Sequence, residues 1–368
     1  MEQCKVNITA AGVLRCHSNV VPMECYLVLN NTAQTLIATL CCTAGTLCVL
    51  ENALVLYLIF SSPKIRRKPS YLFLGSLALA DTLASFIFVW SFLQFHVFSG
   101  ADSSKVVFLL KLGGVNTTFT ASLGSLLLMA FDRYICILKP STYKVLVTSK
   151  RALVALVVLW LSIALIASLP LFGWNCCRLN SPCSELFPFV DNSYLLSWAS
   201  FVAVLLASII YAYGHVLWKA RQHVAYMEKH HRPNGQTNTK MRLDIKLAKT
   251  LAIVLLVLIT CWTPGMALVT YSIFFKMDTY LKKVFAFCST LCLVNSMVNP
   301  AIYALRSREL SSALRKICTS FKRKADISES NPEAESTQRT LPLENISDRF
   351  VGNSTKIQAS EGDNMEAL

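Results

Sequence analysis

An all-α membrane protein, a seven-transmembrane helix bundle with a short amphipathic helix 8 on the membrane surface, is the fold this sequence predicts. Three observations carry that prediction. Of 368 residues, 54% are hydrophobic and only 15% are charged. Soluble domains average roughly 25% charged residues, so this chain has too few polar groups to cover a globular surface. Seven stretches each reach the about 20 apolar residues that cross a hydrocarbon core roughly 30 Å thick. No two-residue alternation marks the strands of a barrel. The same composition excludes disordered, collagen-like and disulfide-dense secreted chains.

In chain order, the elements are an outer amino-terminal segment (1–35) and spans at 36–60, 70–96, 106–137, 152–172, 194–218, 243–274 and 284–305, followed by a surface helix (306–321) and a cytoplasmic tail (322–368). Orientation follows from Lys and Arg, which concentrate on the cytoplasmic side. Segments 61–70, 133–151, 219–249 and 306–324 hold 24 of the 35 basic residues, and the four alternate segments hold seven. The amino terminus is therefore expected outside and the carboxyl terminus inside. The net charge of +14 is mostly this collar, which faces anionic lipid. Nucleic-acid binding is not expected, because the basic residues sit at helix ends rather than on an aromatic-rich soluble face.

The first 35 residues hold no basic start followed by an apolar run and a small-residue cleavage site, so the first span is expected to act as a signal anchor. Asn7 and Asn30 head sequons on the outer side and are candidate glycan sites. Within 307–321, Leu310, Leu314 and Ile317 share one face, as in a helix lying on a membrane, and Cys318 near its end is a candidate for palmitoylation. Residues 325–368 carry nine acidic against three basic residues and many Ser, Thr and Asn, the composition of a disordered, phosphorylatable tail. Among the fourteen cysteines, those within spans behave as small hydrophobes. Cys176, Cys177 and Cys183 share the loop 173–193. A bridge there joins Cys176–Cys183, which closes the larger loop, or Cys177–Cys183. No Cys or His cluster has zinc-site spacing.

Charges inside a membrane cost about 2.5–3.5 kcal/mol each on insertion scales, which makes each one a functional candidate. Asp81 lies mid-way along the second span, with Asn52 on the first, Ser122 on the third, and Asn295, Ser296 and Asn299 on the seventh. Such a cluster is able to hold a small cation, and sodium is the ion expected; interhelical hydrogen bonding is the alternative use. Asp132-Arg133-Tyr134 closes the third span, and Asp244 opens the sixth at the same depth. An Arg133 network with both acids is a breakable lock between two helices. Pro264 and Pro300 fall inside spans, remove an N–H and clash with the carbonyl four residues back, so the sixth and seventh helices should kink.

Asn52, Asp81, Asp132-Arg133-Tyr134, Trp160, Cys261-Trp262-Thr263-Pro264 and Asn299-Pro300-Ala301-Ile302-Tyr303 stand in that order across seven spans. The set resembles the rhodopsin-class G-protein-coupled receptors. Segments 70–81 (SYLFLGSLALAD), 184–188 (SELFP), 211–220 (YAYGHVLWKA), 241–250 (MRLDIKLAKT) and 286–307 (AFCSTLCLVNSMVNPAIYALRS) further resemble the cannabinoid receptors, over roughly residues 36–320. The short amino terminus is similar to the shorter-headed members. Two departures from the wider class are shared with this branch: no Cys in 103–112 and no Pro in 194–218.

The resemblance implies a ligand pocket, and the residue types narrow its chemistry. Val115 stands where amine receptors place an Asp, and Leu293 where visual pigments place a Schiff-base Lys. Lys111-Leu112 replaces the Arg-Glu pair of lysophospholipid receptors, which favours a neutral head group. Helical spacing puts Phe88, Phe92, Phe95 and His96 on one face of the second span, with Ser91 beside them, and Phe108, Lys111, Val115 and Phe119 on one face of the third. Phe285, Ser289 and Cys292 share a face of the seventh. By resemblance, Phe187, Trp198, Trp262 and Met266 complete the pocket. An aromatic cage of this kind buries an alkyl chain at about 0.8 kcal/mol per CH₂, and His96 and Ser289 are expected to orient the polar end.

The implied partners are a lipid ligand of endocannabinoid type, the membrane, a heterotrimeric inhibitory G protein that lowers adenylate cyclase activity, and arrestin and receptor kinases acting on the tail. Tyr213 and Tyr303 are implied to brace the open state once Arg133 is released. A lysophospholipid-like or orphan lipid specificity on the same fold is the alternative. A transporter or pump would explain Asp81 but neither the Asp-Arg-Tyr triplet nor the aromatic pocket. An enzyme is not expected, since His96 and His215 lie near opposite membrane surfaces and no Gly-x-Ser-x-Gly turn exists.

Overall fold

The computed structural model describes Leu14, Cys16, Val21 and residues 23–98, 104–138, 140–230, 235–306, 310–315 and 319. Asn7, Cys318 and the tail lie outside the described residues. Among the described residues, seven helices are long and apolar enough to cross a membrane. They are α1 (Asn31–Ser61), α2 (Pro69–His96), α3 (Lys105–Leu138), α4 (Ser149–Phe172), α5 (Asn192–His230), α6 (Gly235–Phe274) and α7 (Thr279–Arg306). Short helical segments stand at Met23–Cys25, Pro63–Arg66, Pro140–Leu146 and Cys176–Leu179, and residues 310–315 are helical.

Local sequence sets the helix starts. Asn30 caps α1 by accepting from the Ala33 N–H at 3.1 Å, and Thr148 caps α4 by accepting from Arg151 N–H at 3.4 Å. Pro69 opens α2 at a position where its missing N–H costs nothing. α5 and α6 run past the spans expected at 194–218 and 243–274, and their apolar parts cover Asn192–Lys219 and Ala252–Phe274. Their basic ends keep strong helix formers, so backbone hydrogen bonding continues after hydropathy has fallen. α6 continues through Pro264, and α7 through Pro300.

Neighbouring helices are α1 with α2 and α7, α2 with α3, α3 with α4 and α5, α5 with α6, and α6 with α7. Lipid tails offer no hydrophobic drive for helix association, so close approach depends on small residues. A Cβ at Gly45 of α1 would come within 2.5 Å of Val89 on α2, and one at Gly124 of α3 within 2.6 Å of Leu159 on α4. The outward faces carry large apolar side chains such as Phe86, Leu161 and Leu256, each about two-thirds exposed, as helices surrounded by acyl chains require. The interior carries the polar groups: Asn52, Asp81, Ser122, Ser125, Asn295, Ser296 and Asn299 are all buried.

One end of the bundle is closed by loop 173–191 and the amino-terminal segment. Cys176–Cys183 is bridged, and Cys16–Cys177 joins the amino-terminal segment to the same loop. The second bridge was not anticipated from sequence. Isolated antiparallel pairs at Asn175–Val190 and Cys183–Asp191 shape the loop. Asp191 fixes its exit by accepting from Ser181 and Ser193. Burial opposes its ionisation, but those bonds hold its carboxyl below the ordinary carboxylate range. Phe189 adopts φ 65°, a costly backbone for a bulky residue, while its ring is buried.

Candidate ligand cavity and polar switch

Helices α2, α3, α5, α6 and α7 enclose a cavity of about 240 Å³ beneath that cap. All fifteen residues proposed above for the pocket line it: Phe88, Ser91, Phe92, Phe95, His96, Phe108, Lys111, Val115, Phe119, Phe187, Trp198, Trp262, Met266, Phe285 and Ser289. α2 contributes a helical stripe whose rings follow one another, Phe88 to Phe92 at 5.6 Å between centroids and Phe92 to His96 at 4.4 Å. The stripe meets α3 twice, Phe88 against Phe119 at 5.7 Å and Phe95 against Phe108 at 5.8 Å. Phe187 enters from the loop and stands edge-on to Phe285 of α7 at 5.6 Å. Ser184 holds that turn by accepting from the Leu186 and Phe187 N–H groups. At the floor, Phe119 meets Trp262 edge-on at 6.1 Å.

Few polar atoms face this space. Ser289 donates to the Ala286 carbonyl at 2.8 Å, and Lys111 donates to Gln94. Ser91 Oγ, His96 Nδ1 and Trp262 Nε1 are buried without hydrogen-bond partners. A buried donor or acceptor left unmade costs roughly 1–3 kcal/mol, so a bound molecule that satisfies one gains that much specificity. The arrangement can enclose a long apolar chain and orient one polar end.

Sequence reasoning missed the cap. Met23, Tyr26, Val28, Glu185 and Lys282 also line the cavity. Tyr26 donates to the Ser184 carbonyl at 2.9 Å; burial, then the Glu185 charge, push its hydroxyl well above the usual tyrosine range and keep it a donor. Lys282 pairs with Glu185 at 2.9 Å. An odd number of cysteines in loop 173–193, facing three more in residues 1–35, is the one sequence signal that could have pointed to this closure.

Deeper in the bundle, Asp81 Oδ1 accepts from Ser122 at 2.6 Å and Ser296 at 2.8 Å, and its Oδ2 accepts from Asn299 at 3.0 Å. On α7, Ser296 and Asn299 reach Asp81, and Asn295, next to Ser296, does not. The two neighbours differ by about 100° around a helix, and Asn295, although buried, points elsewhere. Asn52 donates to the Ser296 carbonyl at 3.2 Å, tying α1 to the same cluster.

At the opposite end from the cap, Arg133 pairs with Asp132 and donates to Ser70. Asp132 also accepts from Ser70 at 2.8 Å and from Tyr143 at 2.7 Å. Ser70 and Tyr143 were not anticipated. Burial and the bond to Asp132 push the Tyr143 hydroxyl up to about 12, so it remains a donor at neutral pH. Tyr134 packs on His215 of α5 at 5.3 Å, and Tyr213 is buried. The side chains of Asp244 and Tyr303 lie outside the described residues.

The model of the 7 transmembrane receptor (rhodopsin family) matches residues 51–303. Cannabinoid receptor 2 of Rattus norvegicus is 56% identical over 302 residues, 82% of this chain and 83% of that protein. Cannabinoid receptor 2 of Homo sapiens is 54% identical over 324 residues, 88% and 89% of the two chains. Cannabinoid receptor 1 of Xenopus laevis is 46% identical over 364 residues, 95% of this chain and 74% of that protein.

Proposed function

Because this chain belongs to the rhodopsin family of seven-transmembrane receptors, and within it to the cannabinoid receptors, we propose that it is a receptor for neutral lipids of the endocannabinoid type that signals through an inhibitory G protein to lower adenylate cyclase activity. The observation that carries this reading is the cavity: aromatic rings from α2, α3, α6, α7 and the loop enclose a space with few polar atoms. Its amino terminus faces outside and its basic collar faces the cytoplasm, where the G protein docks. Arrestin and receptor kinases act on residues 322–368.

The ligand's acyl chain packs against Phe119 and Trp262, which touch in this structure. Trp262 lies two residues before Pro264, where α6 lacks a backbone hydrogen bond. Pressure on the indole therefore favours a second arrangement of α6. The shift reaches the collar, where Arg133 leaves Asp132 and Tyr213 and Tyr303 support the opened cavity. Ligand drives this only through its greater affinity for the open state. The Asp81 cluster suits a sodium ion: one buried carboxylate and two hydroxyls supply hard oxygen donors, and Asp81, Ser122, Ser296 and Asn299 would hold it. Asn7 and Asn30 carry glycans and Cys318 a palmitoyl chain. Asn30 is exposed and uses its oxygen to cap α1.

The test is nucleotide exchange on an inhibitory G protein in membranes bearing this chain, with arachidonoyl glycerol and a lysophospholipid compared. Stimulation by the neutral lipid is expected. Stimulation by the phosphate-bearing lipid alone would overturn the ligand class and leave the fold standing.

A further inference from the structure

We infer that Glu185 determines head-group specificity: by neutralising Lys282 at the cavity mouth, it excludes amphiphiles with an ionised head. This rests on the receptor reading above and narrows its substrate class. Three charged side chains line the cavity, Lys111, Glu185 and Lys282, and Glu185 is the one carboxylate among the described lining residues. Lys282 Nζ lies 2.9 Å from Glu185 Oε2, donates to the Cys25 carbonyl at 3.3 Å, and sits 5.6 Å above the Tyr26 ring. The two paired side chains are only 10% and 19% exposed, so water replaces a lost partner incompletely.

Within α7 the charged surroundings of Lys282 are positive. It stands in the first turn of α7, which contains no acidic residue, next to Lys283 and at the positive end of the helix dipole. Asp278, the nearest carboxylate along the chain, caps that helix by accepting from the Leu281 N–H at 2.7 Å and does not line the cavity. Without Glu185, this mouth is a seat for an anion. With Glu185 in place, a carboxylate or phosphate head meets a like charge and must give up its hydration under a closed cap. A glycerol ester or an amide meets only hydrogen-bonding groups. The cap holds the pair there, since Tyr26 is fastened to Ser184 and Cys16 to Cys177.

The test measures displacement of a neutral fluorescent acyl probe from receptor in membranes, at matched surface expression, by arachidonoyl glycerol and by arachidonate. Glu185→Gln is expected to raise the relative potency of arachidonate at least about tenfold. Glu185→Gln with Lys282→Gln is expected to bring the ratio back within about threefold of wild type, which a merely structural role would not do. An unchanged ratio in Glu185→Gln, or a gain that survives the second substitution, overturns the inference. Should Glu185→Gln fail to reach the membrane, Lys282→Gln decides: it is expected to favour a cationic arachidonyl amine by about tenfold, and no such gain overturns the inference. Displacement needs no G protein, so a wild type that binds but does not signal defeats the proposed function and leaves these ratios to decide this point.

Discussion

The two ends of the bundle recognise by different physics. Beneath the cap, nine Phe and Trp side chains from Phe88 to Phe285 form an enclosure in which shape and apolar area dominate. At the Arg133 end, three side chains converge on one carboxylate, with Ser70, Arg133 and Tyr143 all bonded to Asp132. Between them lies the Asp81 cluster, polar like the second and buried like the first. Apolar enclosure responds in proportion to the area filled. A charge network has discrete arrangements, because a buried carboxylate is either satisfied or costly. Under the proposed function, the contrast would convert a graded input into a two-state output within one bundle.

The comparison is broken most strongly at the charged end. Asp132→Asn removes a charge-assisted network worth about 1.5–3 kcal/mol per bond, and basal nucleotide exchange should rise between about tenfold and a hundredfold; no rise would remove Asp132 from the lock. At the apolar end, shortening a neutral acyl ligand by two methylenes should weaken it about fifteenfold, at about 0.8 kcal/mol each. In Phe92→Ala, which leaves part of the wall missing, the same shortening should matter less; an equal loss in both receptors would take Phe92 off the ligand path. Sodium should weaken agonist binding at least about fivefold in wild type and not at all in Asp81→Asn, measured by agonist displacement with and without the ion. Tyr143→Phe removes one of the three partners of Asp132 and leaves the charge paired with Arg133, so basal exchange should rise less than in Asp132→Asn. A larger rise than Asp132→Asn gives would invert the order of the network.

The spans were legible because hydropathy is summed over many residues and needs no partner. The pocket faces on α2, α3 and α7 were legible for a similar reason: Phe88, Phe92, Phe95 and His96 repeat with the helix itself. Phe187, Trp198, Trp262 and Met266 reach the cavity from other elements, and only family likeness placed them. The cap was illegible, because Cys16 and Cys177 are separated by 161 positions and nothing local selects that pairing. Ser70 and Tyr143 were hidden for the same reason, each being an ordinary polar residue until the fold brings it to Asp132. Asn295 and Ser296 were both read into the cluster, and only Ser296 reaches Asp81: one position on a helix decides which side chain meets a charge.

The link between the two ends is tested most directly at Trp262. Trp262→Leu keeps an apolar floor but removes the indole that meets Phe119. Displacement of a neutral acyl probe and nucleotide exchange would be measured on the same membranes, at matched surface expression. The prediction is that arachidonoyl glycerol still displaces the probe, within about tenfold of wild type, while stimulated exchange is lost. Exchange stimulated as fully as in wild type would contradict a route from the cavity through Trp262 to Arg133.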